Sequence, residues 1–268
     1  MNNRYLGAVT LIPFVLILFL GGIYLKYGIM IISLVGMYEF YKVTKTKHLN
    51  PINIVGYLLC IIYYISLKTE VNYKFLFFTI IVSIFMLLCI LVVDIEYNFL
   101  DIVVTLFGFL YIALFFSMIT LVNKGLYGNY MVWLIVISAW CCDTCAYYTG
   151  KFFGKKKLCP KVSPKKTVEG AIGGVIGSAI ACSLFGSFAI IMGIPMPLYH
   201  YIILGILSGV FCQFGDLAAS SIKRYTKVKD YGNLIPGHGG ILDRFDSILF
   251  SGVVVYYYLV FVAAIYVY

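Results

Sequence analysis

The chain has 268 residues, of which 62% are apolar and only 12% charged, with a mean hydropathy of +0.98. That balance excludes a soluble globular domain and points to an all-α polytopic membrane protein. The net charge of +9 is unevenly placed: residues 143–246 hold twelve Lys and Arg against six Asp and Glu, so chemistry is expected in the C-terminal half.

Six stretches, 5–25, 49–67, 75–93, 102–123, 125–142 and 247–268, contain no Asp, Glu, Lys, Arg or His. Each can cross a bilayer as a helix, since a span needs ~20 apolar residues. The first is longer than the apolar core of a secretory signal and no small-residue cleavage site follows it, so a permanent span is expected. Residues 27–41 are fewer and hold Glu39 between Lys26 and a basic run, which reads as a short or tilted span. Residues 170–215 carry no Asp, Glu, Lys or Arg over 46 positions, and the turn-forming run Gly193-Ile-Pro-Met-Pro197 divides them into two helices. The total is nine helices. About five fall in an N-terminal region, 1–125, and four in a C-terminal region, 126–268, with basic loops and an active-site cavity.

In a nine-helix arrangement, sixteen of the twenty Lys and Arg collect on one side, including Lys42, Lys45, Lys47 and seven lysines between 151 and 166. The positive-inside rule puts that side, and the active site, in the cytoplasm, making this a multi-pass integral membrane protein. The lysine cluster also suits contact with anionic membrane lipids. It sits in a short loop tied between two spans, which argues against nucleic acid as a partner. Six of the eight cysteines lie inside the expected helices as small apolar residues, and Cys142-Asp-Thr-Cys145 lacks the second ligand pair that a tetrahedral zinc site needs.

Carboxylates at bilayer depth are costly and usually mark a site. Asp143 interrupts the sixth span and Asp216 the eighth. Gln213, Asp216, Ser220 and Lys223 fall at i, i+3, i+7 and i+10, so one face of the eighth helix is a polar ladder lining a wet cavity or the bundle interior. Lys223 and Arg224 stand at its rim. In the following loop, Gly237, Gly239 and Gly240 allow backbone amides to approach an anion. Asp243 and Asp246 share a helical face and suit a hard cation, and Arg244 lies beside them for phosphate oxygens. Carboxylates mixed with Lys and Arg suit a polyphosphate with Mg²⁺, alone or with a second cation. A structural salt-bridge network could use the same residue types.

The run Ser220-Ser-Ile-Lys-Arg-Tyr-Thr-Lys-Val-Lys-Asp-Tyr-Gly-Asn-Leu-Ile-Pro-Gly-His-Gly-Gly-Ile-Leu-Asp-Arg-Phe-Asp246 resembles the signature of the phosphatidate cytidylyltransferases, the CDP-diacylglycerol synthases. Asp143-x-x-Ala-Tyr-x-x-Gly150-x-x-x-Gly154 and the block from Leu158 to Gly170 are similar to the same family. One departure stands out: the family usually has Glu at the position of Ala219. The resemblance implies transfer of CMP from CTP to phosphatidic acid, giving CDP-diacylglycerol and pyrophosphate for phospholipid biosynthesis. It implies catalytic roles for Asp216, Asp243, Lys223 and Arg244, with Asp216, Asp243, Asp246 and Asp143 as metal ligands. Substrate contacts would fall to Ser163, Lys166, Thr167, Ser220, Arg224, Lys229, Asp230, His238, Gly239 and Gly240. His238 reads as a turn or binding residue, because a lipid phosphate already ionised at neutral pH needs no base. Family analogy and apolar bulk are compatible with a homodimer. Two other classes stay open: a CTP-dependent polyprenol kinase, which would release CDP, and a cation-coupled transporter, which would move solute without consuming nucleotide.

Overall fold

A computed structural model describes residues 12–67, 73–235, 237 and 239–263. The start of the first expected span, Arg4, Lys68 and His238 lie outside the described residues. A chain this apolar must satisfy its amides within each segment, and helices dominate accordingly. They are α1 (Ile12–Leu20), α2 (Gly22–Thr44), α3 (Asn53–Ser66), α4 (Tyr73–Val93), α5 (Phe99–Lys124), α6 (Gly128–Phe153), α7 (Val168–Ile191), α8 (Leu198–Tyr225) and α9 (Leu242–Phe261). Among the described residues, seven are long and apolar enough to cross a bilayer, namely α2 and α4 to α9. The described part of α1 has 9 residues and α3 has 14.

Two sequence expectations need correction. The first apolar stretch does not run unbroken to residue 25: the helix stops at Leu20, where Gly21 (φ 61°) and Gly22 (φ 51°) take left-handed backbone angles that only glycine adopts without strain. The next helix therefore begins at Gly22 and is a full 23 residues long, not short, with Glu39 well inside it. The basic segment after α6 is also not a plain loop. It contains an antiparallel hairpin of β1 (Lys157–Cys159) and β2 (Ser163–Thr167), in the register Lys157 to Thr167 and Cys159 to Ser163.

The chain divides into two compact units, residues 1–121 with 225–244, and residues 122–224 with 245–268. They interleave along the sequence.

In the first unit, the Tyr41 ring of α2 fills the space left by Gly56 of α3 and Gly108 of α5; a Cβ at either would overlap the ring. Tyr41 is fully buried, and its hydroxyl donates to the Thr105 carbonyl at 2.7 Å. Thr105 Oγ1 in turn donates to the Asp101 carbonyl and accepts the Ile52 amide at 2.8 Å. Asn98 and Asp101 cap the start of α5 reciprocally. Further along α5, the π-helical stretch Phe109–Leu114 includes Ala113, whose carbonyl accepts the Tyr64 hydroxyl. Large-to-small truncation at such a site costs the buried ring and leaves a cavity. Tyr41→Ala is expected to destabilise the protein by about 3–5 kcal/mol, and Tyr41→Phe by about 1 kcal/mol; thermal unfolding in detergent reads both.

In the second unit, small residues bring helices close, as membrane packing favours. Gly174 and Gly177 of α7 lie against Cys142 and Cys145 of α6, and Ser178 Oγ of α7 donates to the Gly205 carbonyl of α8 at 2.8 Å. Ser138 of α6 and Ser251 of α9 share a hydrogen bond of 2.7 Å. Gly215 of α8 leaves room for the Asp246 carbonyl and the Phe250 ring of α9.

Candidate active site

Within the second unit, Asp143 from the middle of α6, Lys166 from β2 and Asp216 from α8 line a charged cavity. Asp246 and Ser247, from the part of α9 in this unit, are buried beside Asp143. The hairpin is anchored at its base. Glu169, in the first turn of α7, accepts the Lys155 and Lys156 amides at 3.1–3.2 Å, and the Val168 amide donates to the Lys156 carbonyl at 2.9 Å. Thr167 caps the same helix by accepting the Gly170 amide at 3.1 Å. β2 thus ends at a fixed point, and Lys166 next to it reaches Asp216.

Lys166 Nζ stands 2.5 Å from Asp216 Oδ2, with both side chains partly exposed. Ser220 Oγ donates to Asp216 Oδ1 at 3.2 Å, which realises the i, i+4 step of the polar ladder. Gln213 keeps its place on that face, buried at the edge of the cavity, and donates to the carbonyls of Ala171 and Gly209, each at 3.0 Å, so it also ties α8 to α7. Ser247 Oγ lies 3.3 Å from Asp143 Oδ1 and 3.5 Å from Asp246 Oδ1. The Ser247 amide also donates to Asp246 Oδ1 at 2.8 Å. Asp246 is only 8% exposed, and its charged neighbours are Asp216, Asp143 and Lys223.

Two carboxylates on either side of one hydroxyl, with a third nearby, are mutually repulsive unless positive charge compensates them. Lys166 already answers Asp216. The carboxylates offer hard oxygen donors of the kind Mg²⁺ takes. Among the described residues no three His, Cys, Asp or Glu side chains form a ready-made cage. Such a set fits an ion that keeps waters and takes the rest of its ligands from a substrate.

Asp143, Lys151, Lys165, Lys166, Thr167 and Asp216 line this cavity, of about 330 Å³. A second chamber of about 500 Å³ is almost wholly apolar, walled by Ile172, Val175, Val210 and Phe214 among others. Leu158, Ala171 and Gln213 border both. One end of the pair suits anionic oxygens and the other suits hydrocarbon.

The remaining expected site residues fall elsewhere. Arg224 Nε donates to the Val162 carbonyl at 3.3 Å, so the end of α8 holds the hairpin turn. Ser163 begins β2, and Ala219 is fully buried, leaving no carboxylate where the family usually has Glu. In the first unit, Lys229, Asp230 and Arg244 are exposed. The glycine-rich segment there does not present all its amides outward. Asp243 Oδ2 accepts the Tyr231 amide at 2.7 Å and the Gly240 amide at 3.0 Å, and Glu39 accepts the next two amides. The Gly240 amide, expected to meet an anion, thus meets a carboxylate of the chain itself. Gly237 (φ 76°) and Gly239 (φ 87°) make the turn, closed by the Ile235 amide donating to the Gly239 carbonyl at 2.9 Å. Glu39 escaped the sequence reading because its partners lie about two hundred positions away.

Helices of spanning length, together with a cavity of carboxylates and lysines that adjoins an apolar chamber, define an integral membrane protein. The chain belongs to the Cytidylyltransferase family, whose pattern matches residues 2–262. It is similar to the phosphatidate cytidylyltransferase of Bacillus subtilis (strain 168), 38% identical over 128 residues that make up 48% of this chain and 46% of that protein. The phosphatidate cytidylyltransferase of Staphylococcus aureus (strain COL) is 35% identical over 158 residues, 58% of each chain. That of Staphylococcus saprophyticus is 33% identical over the same length. The chain spans about half the length of the curated relatives it matches.

Proposed function

We propose that the chain is a CTP:phosphatidate cytidylyltransferase. The observation that carries this reading is the Lys166 to Asp216 pair, set with Asp143 in a charged cavity that shares its wall with an apolar chamber. CTP and phosphatidic acid are both strongly anionic, so their approach needs cationic groups placed in advance. An oxygen of the lipid phosphate attacks the α-phosphorus of CTP, the bond from that phosphorus to the bridging oxygen breaks, and pyrophosphate leaves with the electron pair. No covalent enzyme intermediate is needed. Lys166 and Lys151 neutralise the triphosphate, Lys223 offsets the carboxylates, and Ser220 orients Asp216. The apolar chamber takes acyl chain entering sideways from the leaflet.

Mg²⁺ would be held by one or two of the carboxylates Asp143, Asp216 and Asp246, with waters and substrate phosphate completing its shell, and would supply charge neutralisation and orientation of phosphate oxygens. Asp243 belongs to the same reading through the signature, with its Oδ2 fixing the glycine-rich segment. The excess of Lys and Arg that a nine-helix arrangement collects on one side supports a cavity mouth facing the cytoplasm, where CTP is found. A homodimer rests on family analogy alone.

The test is incubation of the purified protein with phosphatidic acid, cytidine-labelled CTP and Mg²⁺. The expected result is a chloroform-soluble labelled lipid with one pyrophosphate per lipid formed. Release of CDP in the presence of polyprenol would select a kinase. Solute uptake into proteoliposomes without nucleotide consumption would select a transporter.

A further inference from the structure

Glu39 is an anomaly for the reaction as described so far: a carboxylate within a membrane-spanning helix, 3% exposed, with no part in the charged cavity's lining. Burying a carboxylate is costly, and the expense is met only where donors surround it. Its donors are backbone amides. Oε1 accepts Ile241 N–H at 2.9 Å and Oε2 accepts Leu242 N–H at 3.0 Å, so both oxygens sit at the start of α9. The first amides of a helix have no partner within it and carry its positive end, which makes a carboxylate there a cap supplied from a distant helix. The glycine-rich segment is shaped around the same group. A Cβ at Gly240 would stand 2.5 Å from both Glu39 oxygens, and one at Gly232 would stand 2.6 Å from Oε1. Neither glycine has a positive φ, so the room for Glu39, not backbone conformation, is what these two positions require. Asp243 clamps the other side of the segment through Tyr231 and Gly240.

We infer that Glu39 is a positioning residue, the buried post against which Gly232 and residues 240–242 are packed, and that through it α2 fixes the start of α9, the helix whose next turn carries Asp246. The inference rests on the proposed cytidylyltransferase activity for its kinetic part only; the structural part stands by itself.

The test compares full-length wild type, Glu39→Ala, Glu39→Gln, Gly240→Ala and the Glu39→Ala/Gly240→Ala double variant in detergent. Hydrogen exchange at the Ile241 and Leu242 amides is expected to accelerate about 10- to 100-fold in Glu39→Ala, with exchange in the interior of α2 and α5 unchanged. Glu39→Gln keeps the shape and one acceptor oxygen, and is expected to fall between. In the kinetic arm, KM for CTP rises about tenfold or more in Glu39→Ala, while kcat at saturating CTP changes by less than about threefold. Gly240→Ala forces its methyl onto the carboxylate, so its loss is expected to vanish in the Glu39→Ala background, leaving the double variant no worse than Glu39→Ala. Unchanged exchange at the two amides, acceleration spread evenly through α2 and α5, or losses that multiply in the double variant would each overturn the inference. If the wild type makes no cytidine lipid, the activity falls, and the exchange pattern still decides the role of Glu39.

Discussion

Asp216→Asn is expected to lower Mg²⁺-dependent pyrophosphate release by about 10²- to 10³-fold, the scale on which removal of one electrostatic stabiliser acts. The substitution keeps the size of the side chain and the acceptor facing Ser220, but deletes the charge that Lys166 meets at 2.5 Å. Asp246→Asn is expected to lose a similar amount while easing the repulsion among Asp143, Asp216 and Asp246, so the variant should be no less stable than wild type. Loss of turnover without loss of thermal stability is the signature of a group kept for chemistry. The check is pyrophosphate release with phosphatidic acid and CTP across a Mg²⁺ titration, alongside thermal unfolding. Full turnover in either purified variant would refute a cation site at these carboxylates.

Lys166→Met should raise KM for CTP about 10- to 100-fold, the loss expected when a charged hydrogen-bond donor is truncated. Lys165→Met, one position away in β2 and exposed, should change it by less than about threefold, since an exposed cation is replaced by solvent and its neighbours. Lys166→Arg keeps the charge at greater length and should recover much of the affinity. Initial-rate kinetics over a CTP series separate the three. Equal effects at 165 and 166 would mean that the cluster acts only as a diffuse positive field.

Much of the fold was legible because hydrocarbon imposes a simple rule. Stretches without charge gave α3 to α9, and Gly193 to Pro197 gave the break between α7 and α8. The break at Gly21 was not legible: two glycines within an apolar run read as part of a span, and only their left-handed angles reveal the stop. The hairpin was hidden by its own lysines, which read as a topology signal and carry no alternation of apolar and polar residues. Within the site, Asp216 and Ser220 could be paired by helical spacing, because both sit on one element. The meeting of Asp143 with Ser247, across 104 positions, and of Glu39 with Ile241 and Leu242 depends on packing that no local pattern encodes. Gln213 was placed on the right face, while its bond to the Ala171 carbonyl of α7 again depends on packing.

The anchoring of the hairpin by Glu169, Thr167 and Arg224 has a kinetic meaning. Lysines on a slack tether would each surrender freedom when a polyanion arrived, and that entropy would be subtracted from affinity. Here the scaffold settles the matter during folding, so the ammonium groups nearest the anchors wait at their stations. Such an array acts as an electrostatic funnel: added salt should slow capture of the incoming nucleotide more than it hastens departure.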